Sequence, residues 1–164
     1  MSVHVGGILR TTDGTQWTAT IDLHDDVHQV AVGDDGTLWA ATGRRGLAES
    51  RDQGATWRYH TAGLHARYAL AVAALPQGAL VAVSSGHAAK DGGVYRFDGE
   101  RSVRCQGLPA DLGGAVGPRQ VAAAGDQAVI ALPNGDVYAS DDGGREWAPL
   151  ATGVRSVTEV AFAS

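Results

Sequence analysis

One stretch constrains this chain more than any other. Ser50–Trp57 reads SRDQGATW, returns as SDDGGREW at Ser140–Trp147, and appears one residue shorter as TTDGTQW at Thr11–Trp17. Each copy opens on a hydroxyl, passes an Asp inside a Gly-containing turn and closes on Trp. Gly supplies the positive φ that a tight hairpin needs, and the Asp carboxylate can bond the turn's own amides. The Trp begins the returning strand, where a large flat side chain packs well beneath the turn. A chain punctuated in this way is built from hairpins.

The hairpins recur at long range. Val30, Leu70, Val121 and Val160 stand in the matching contexts HQVAV, YALAV, RQVAA and TEVAF, separated by 40, 51 and 39 residues. That spacing is the period of a four-stranded propeller blade. Apolar alternation with period two runs throughout, and no helical stripe of useful length appears. Residues 2–22 read as three strands, 27–62 as four, 67–108 as four and 119–152 as four, with one closing strand at 156–163. The 67–108 unit carries FDGE where the others carry the Ser–Asp turn, and a longer insert, GHAAKDGG. The expectation is a single all-β domain over 1–164, with antiparallel four-stranded blades, three whole and a fourth split between the ends. An open sheet edge is a liability, so the split halves should pair. Within one chain this closes a four-bladed ring. Between two chains it closes an eight-bladed ring of twofold symmetry, a homodimer in which each tail completes its partner's first blade.

The repeated turn resembles the Asp-box (BNR) repeat, S-x-D-x-G-x-T-W, of sialidase-like β-propellers in the wider WD40/YVTN-like superfamily. The resemblance implies structural roles for Asp13, Trp17, Ser50, Asp52, Gly54, Trp57, Ser140, Asp142, Gly144 and Trp147. It also implies a ring larger than this chain encodes, so the chain looks like half of one. Sialidases of the family carry an arginine triad, an R-I-P motif and a Tyr–Glu nucleophile pair. No R-I-P occurs here, and Arg67, Arg119 and Arg155 lie in no matching context. A sialidase-like glycoside hydrolase is therefore disfavoured and no catalytic role carries over. The pattern looks equally like non-catalytic members, photosystem assembly factors and sortilin-type domains, which bind proteins.

Connectivity alone divides the polar residues between two faces. In an up-and-down blade, the Ser–Asp turns lie on one face, and the links between blades lie on the other. Those links place His28, Tyr68, Arg119 and Thr158 at one ring position, with Asp26 and Arg67 just before it. His24, His65 and Arg155 lie further out; His4 ends its strand on this face, and the insert adds His87 and Lys90. Such a rim reads as a binding site at a channel mouth. Its ligand would be a small polar or anionic molecule, contacted by His24, His28, His65, Arg67, Tyr68, His87, Arg119 and Arg155. Asp26, His28, Tyr68 and Glu159 are the candidates for acid–base catalysis in a hydrolase or lyase of unread substrate. Arg119 could hold an anion bidentately or pair with Glu159 or Asp26. His24, His28, His65 and His87 could ligate a metal. No HExxH or Cys ligand pair supports one, so hydrogen-bonded rim histidines are the simpler reading, and no metal or cofactor is expected. The competing reading is a rim that docks a protein.

Composition excludes several classes. A net charge of −5 argues against a nucleic-acid binder or a binder of anionic membranes, which need a basic patch. Cys105 is the only cysteine, which leaves no intrachain disulfide and marks it as a passive thiol rather than a nucleophile. No apolar leader or membrane-length apolar run occurs, and the chain reads as soluble, cytoplasmic and of bacterial type.

Overall fold

The computed structural model describes residues 7–163. The strand expected at 2–6, with His4, lies outside them. β1 (Ile8–Arg10) and β2 (Thr18–Ile21) form a hairpin around the first Ser–Asp-like turn. A single 3-10 turn, Leu23–Asp25, leads into β3 (Val27–Val32), β4 (Leu38–Thr42), β5 (Gly46–Ser50) and β6 (Arg58–His60). A second sheet of four holds β7 (Tyr68–Ala74), β8 (Ala79–Ser84), β9 (Gly93–Phe97) and β10 (Ser102–Arg104). The third holds β11 (Val121–Ala124), β12 (Gln127–Ala131), β13 (Val137–Ser140) and β14 (Ala148–Ala151). Each sheet is an antiparallel meander in chain order. Among the described residues no helix is long and apolar enough to cross a membrane.

Alternation along these strands sends side chains to two opposite faces, and each face buries against the neighbouring sheet. Ile8 and Ile21 of the hairpin pack with Val27, Ala40 and Ala48 of the next sheet. The opposite face of that sheet, with Trp39, Ala41 and Leu47, packs on Val72, Val81, Tyr95 and Phe97. Leu80, Ala82 and Val94 then meet Val121, Ile130 and Trp147 of the last sheet. The core is thus a series of layers between successive sheets. Cys105 lies in the last layer, and burial pushes its thiol up to about 12, so it stays protonated and inert.

The tail departs from the sequence reading. Residues 156–163 form no strand, and β1 and β2 pair only with each other. The Val160 amide donates to the Arg119 carbonyl at 2.9 Å, and Gln120 Nε2 donates to the Val157 carbonyl at 2.8 Å. The tail therefore runs beside the start of β11, where the innermost strand of a following blade would stand. It has the position of that strand without joining a sheet.

The three Ser–Asp turns share one wiring. Ser50 Oγ donates to Asp52 Oδ1 and accepts the Gly54 amide, each at 2.8 Å. Ser140 does the same with Asp142 and Gly144, at 2.8 and 3.0 Å. Thr11 contacts Asp13 and the Gly14 amide at 3.1 and 2.8 Å. The Asp carboxylate then caps the amides that follow: Thr15 and Gln16, Thr56, or Arg145 and Glu146. Gly54 and Gly144 sit at φ +80° and +79°, and a Cβ on Gly144 would strike Leu80 of the preceding sheet. An arginine from the preceding sheet, on β1 or β9, clasps each complete turn. Arg10 Nε donates to the Gln53 carbonyl at 2.9 Å, and Arg96 Nε to the Gly143 carbonyl at 3.1 Å.

These bonds favour the ionised carboxylate, so each turn Asp is held below its ordinary value. For Asp52 the Thr56 hydroxyl is the largest cause, followed by the Thr56 amide and Ser50, and they bring it from 3.8 to about 2. The folded-state value is depressed, so the stability it confers is complete above about pH 4 and fades as pH falls towards 2. Asp52→Asn is therefore expected to flatten the unfolding profile between those limits, as read by acid titration of the circular dichroism signal. An unchanged profile would contradict the assignment.

Candidate functional site

The links between sheets converge with the β4–β5 turn, as antiparallel connectivity requires. The Leu23–Asp25 turn ends on Asp26, held at φ +53°, and the Gly43 amide donates to the Asp26 carbonyl at 2.8 Å. This folds Asp26, His28 and Tyr68 around Gly43. A Cβ there would come within 2.8 to 3.1 Å of all three side chains, so any larger residue would have to displace the cluster.

His28 stands at the centre of the cluster, its side chain only 14% exposed. Nδ1 meets the Ala69 carbonyl at 2.7 Å, and since a carbonyl can only accept, Nδ1 carries hydrogen. In the neutral ring Nε2 is then an acceptor, and the Tyr68 hydroxyl lies 3.3 Å from it. Once protonated, the same Nε2 can donate to Asp26 Oδ2, 3.2 Å away. Burial, and then the charge of Asp26, raise the Tyr68 phenol above its ordinary value, so it keeps its proton. It can donate a hydrogen bond at neutral pH and is poorly suited to act as a nucleophile.

Arg119 is placed by its backbone. It occupies φ +65°, its amide donates to Gln29 Oε1 at 2.9 Å, and Gln29 Nε2 donates to the Val72 carbonyl at 2.9 Å. Gln29 thereby ties the inner strands of two sheets to the entry of the third, a role its position in HQVAV did not announce. The Arg119 guanidinium is exposed and lies 3.8 Å from Glu159, a loose surface pair. Asp26 is not its partner.

The other expected residues are dispersed. His65 Nδ1 lies 2.7 Å from the Tyr95 hydroxyl, and Nε2 lies 2.9 Å from the Asp91 carbonyl, which spends both nitrogens on the insert and β9. His24, His87, Lys90, Arg67 and Arg155 are exposed. Among the described residues no three His, Cys, Asp or Glu side chains are grouped to hold a metal, so His24, His28, His65 and His87 do not form the set weighed from the sequence. A second cluster was missed altogether. Asp25 accepts from Tyr59 at 2.8 Å and lies 3.5 Å from Arg45, whose guanidinium stacks 4.3 Å above the Tyr59 ring. The link residue Asp25 and the β4–β5 turn carried its only signal.

No family model and no curated protein matches the chain. Solved structures do. A structure described as YCF48 from Cyanidioschyzon merolae aligns with a TM-score of 0.60 and 21% identity, covering 79% of this chain and 41% of that one. YCF48 bound to D1 peptide aligns at 0.57 and 21%, covering 78% and 41%. A GH74 xyloglucanase from Xanthomonas campestris aligns at 0.58 and 17%, covering 90% and 27%. With the layered four-stranded meanders, these neighbours define the class: the chain has a β-propeller fold, present as three whole blades and part of another. It spans well under half the length of these neighbours.

Proposed function

We propose that this chain is a non-catalytic Asp-box propeller segment whose link face recognises a polypeptide with acidic side chains. The observation that carries the reading is how the rim is arranged. Asp26, His28 and Tyr68 satisfy one another, while the links on the same face carry the exposed Arg67 and Arg119, the latter only loosely paired with Glu159. A self-bonded polar knot on a face with exposed guanidinium groups suits recognition of carboxylates over a broad surface. An enzyme recesses its titratable groups in a pocket, and the largest groove lies instead on the open face of the last sheet. The likeness to a propeller with bound peptide agrees with this reading, and a cytoplasmic, bacterial setting is part of the proposal.

A small polar or anionic ligand is the second reading, favoured by the half-buried His28 between a carboxylate and a phenol. Hydrolase or lyase chemistry would use Asp26 and His28, with Glu159 on the far side of Arg119. Glycoside hydrolysis gains nothing from the xyloglucanase likeness, which is one of fold.

The test is fluorescence anisotropy with labelled acidic peptides selected on the immobilised chain. Arg119→Ala is expected to weaken binding about tenfold, the loss of one charge-assisted contact of roughly 1.5 kcal/mol. Val103→Glu, exposed on the outermost strand of the middle four-stranded sheet, should leave it unchanged. Responses confined to small carboxylates or sugars, with no peptide selected, would overturn the proposal.

A further inference from the structure

The repeated turn shows which way each blade leans. Trp147 is 3% exposed and packs with Leu80, Val94 and Cys105 of the preceding sheet, its Nε1 donating to Gly144 at 3.0 Å. Trp57 likewise turns to the preceding hairpin, its Nε1 donating to Thr20 Oγ1 at 3.1 Å. Both look backwards along the chain. Trp17 occupies the same place in the first turn, meets no preceding sheet among the described residues, and is 49% exposed. Val32 shares the backward face of β3 with Val30 and is 66% exposed, where a preceding innermost strand would cover it.

The forward face of the last sheet has the opposite deficit. Val129, Ala139, Ala148 and Leu150 line a groove of about 680 Å³, and among the described residues no sheet lies over it. Leu150 is 65% exposed, and Phe162 of the tail lies across the groove at 37%. The corresponding faces of the two sheets before it are buried in core layers. Among the described residues no core layer joins the last sheet to the first hairpin.

We infer that a second copy of this chain covers both faces. The forward face of one copy receives the backward face of the other, and a twofold axis makes the two contacts identical, closing an eight-bladed ring. The occupant follows from the register of the repeat. At both junctions that contain a complete Ser–Asp turn the covering sheet turns that turn's Trp backwards, and Trp17 is the one turn Trp left uncovered among the described residues. Whatever covers Val32 must be an innermost strand, and the tail around Val160 already holds that place beside β11 without a sheet. Both missing parts are present on the same chain at the wrong ends, which is the condition for exchange between two copies. The occupied ring would carry Asp26, His28, Tyr68 and Arg119 twice around one channel. This inference rests on the open faces and stands apart from what the rim binds.

The test uses the 164-residue chain in light scattering coupled to size exclusion. The expected mass is twice 16.9 kDa. Trp17→Glu and Leu150→Glu alter residues exposed in the single copy, so each should fold, keep its circular dichroism spectrum and run as a monomer. Val103→Glu, also exposed but on the outermost strand of the middle four-stranded sheet, should remain a dimer. Mixing the Trp17→Glu and Leu150→Glu chains is decisive. In a head-to-tail ring both lesions fall in one contact and leave the other intact, so the mixture should regain a dimer that neither chain forms alone. A monomeric parent chain, a dimer indifferent to both substitutions, an open-ended series of larger masses, or a mixture that stays monomeric would each overturn the inference.

Discussion

Trp147→Ala is expected to cost about 3–5 kcal/mol, the range for emptying a packed aromatic site. At roughly 2–4 °C per kcal/mol for a domain of this size, the melting temperature should fall by about 10 °C. The loss is large because the buried ring fills the space beside Gly144 against the sheet that carries Leu80, and its Nε1 bond to the Gly144 carbonyl goes with it. Trp57→Ala should cost less, since the ring is half-buried against a hairpin of two strands. Calorimetry on the two variants checks the order. Equal losses would mean that the blades are not stacked as described.

Glu49→Ala comes next in size. Glu49 and His60 are both buried, and Glu49 accepts from Arg51 Nε at 2.6 Å and meets His60 Nε2 at 2.9 Å. The His60 ring lies against Phe97 of the following sheet at 4.3 Å. Burial opposes the charge on Glu49, yet the bonds from Arg51 and His60 prevail and hold its carboxyl below the ordinary value. Removing the carboxylate leaves a buried ring nitrogen with no partner, a loss of about 3 kcal/mol by the cost of an orphaned buried polar group. His60→Phe combined with Glu49→Leu should recover most of it, because an apolar pair of similar shape needs no bond. Denaturant midpoints of the single and double variants measure this directly.

The strands and their order were legible because hairpins are local. The Ser–Asp turn names its own partners within five residues, and period-two alternation marked the strands that bury Trp39 and Phe97, which are 3% and 1% exposed. The rim was legible in outline for the same reason, since connectivity alone sends all the links to one face. Contacts across sheets were not. The Glu49–His60 pair depends on a diagonal between β5 and β6 and on Phe97 arriving from another blade, and nothing in GLAES or RYHT announces it. His65 looked available in LHARYA until Tyr95 and Asp91 took both nitrogens. The strand expected at 156–163 failed for a related reason. Its alternation is that of a strand, but strand structure requires a neighbouring sheet, and the single copy supplies none.

The most direct measurement is hydrogen exchange of the indole N–H groups by NMR, made on the Leu150→Glu chain so that association does not cover Trp17. If each turn seats its Trp against the preceding blade, Trp147 exchanges slowest, Trp57 is intermediate and Trp17 exchanges like a free indole. Equal rates for Trp147 and Trp17 would contradict the stacked, open arc of blades.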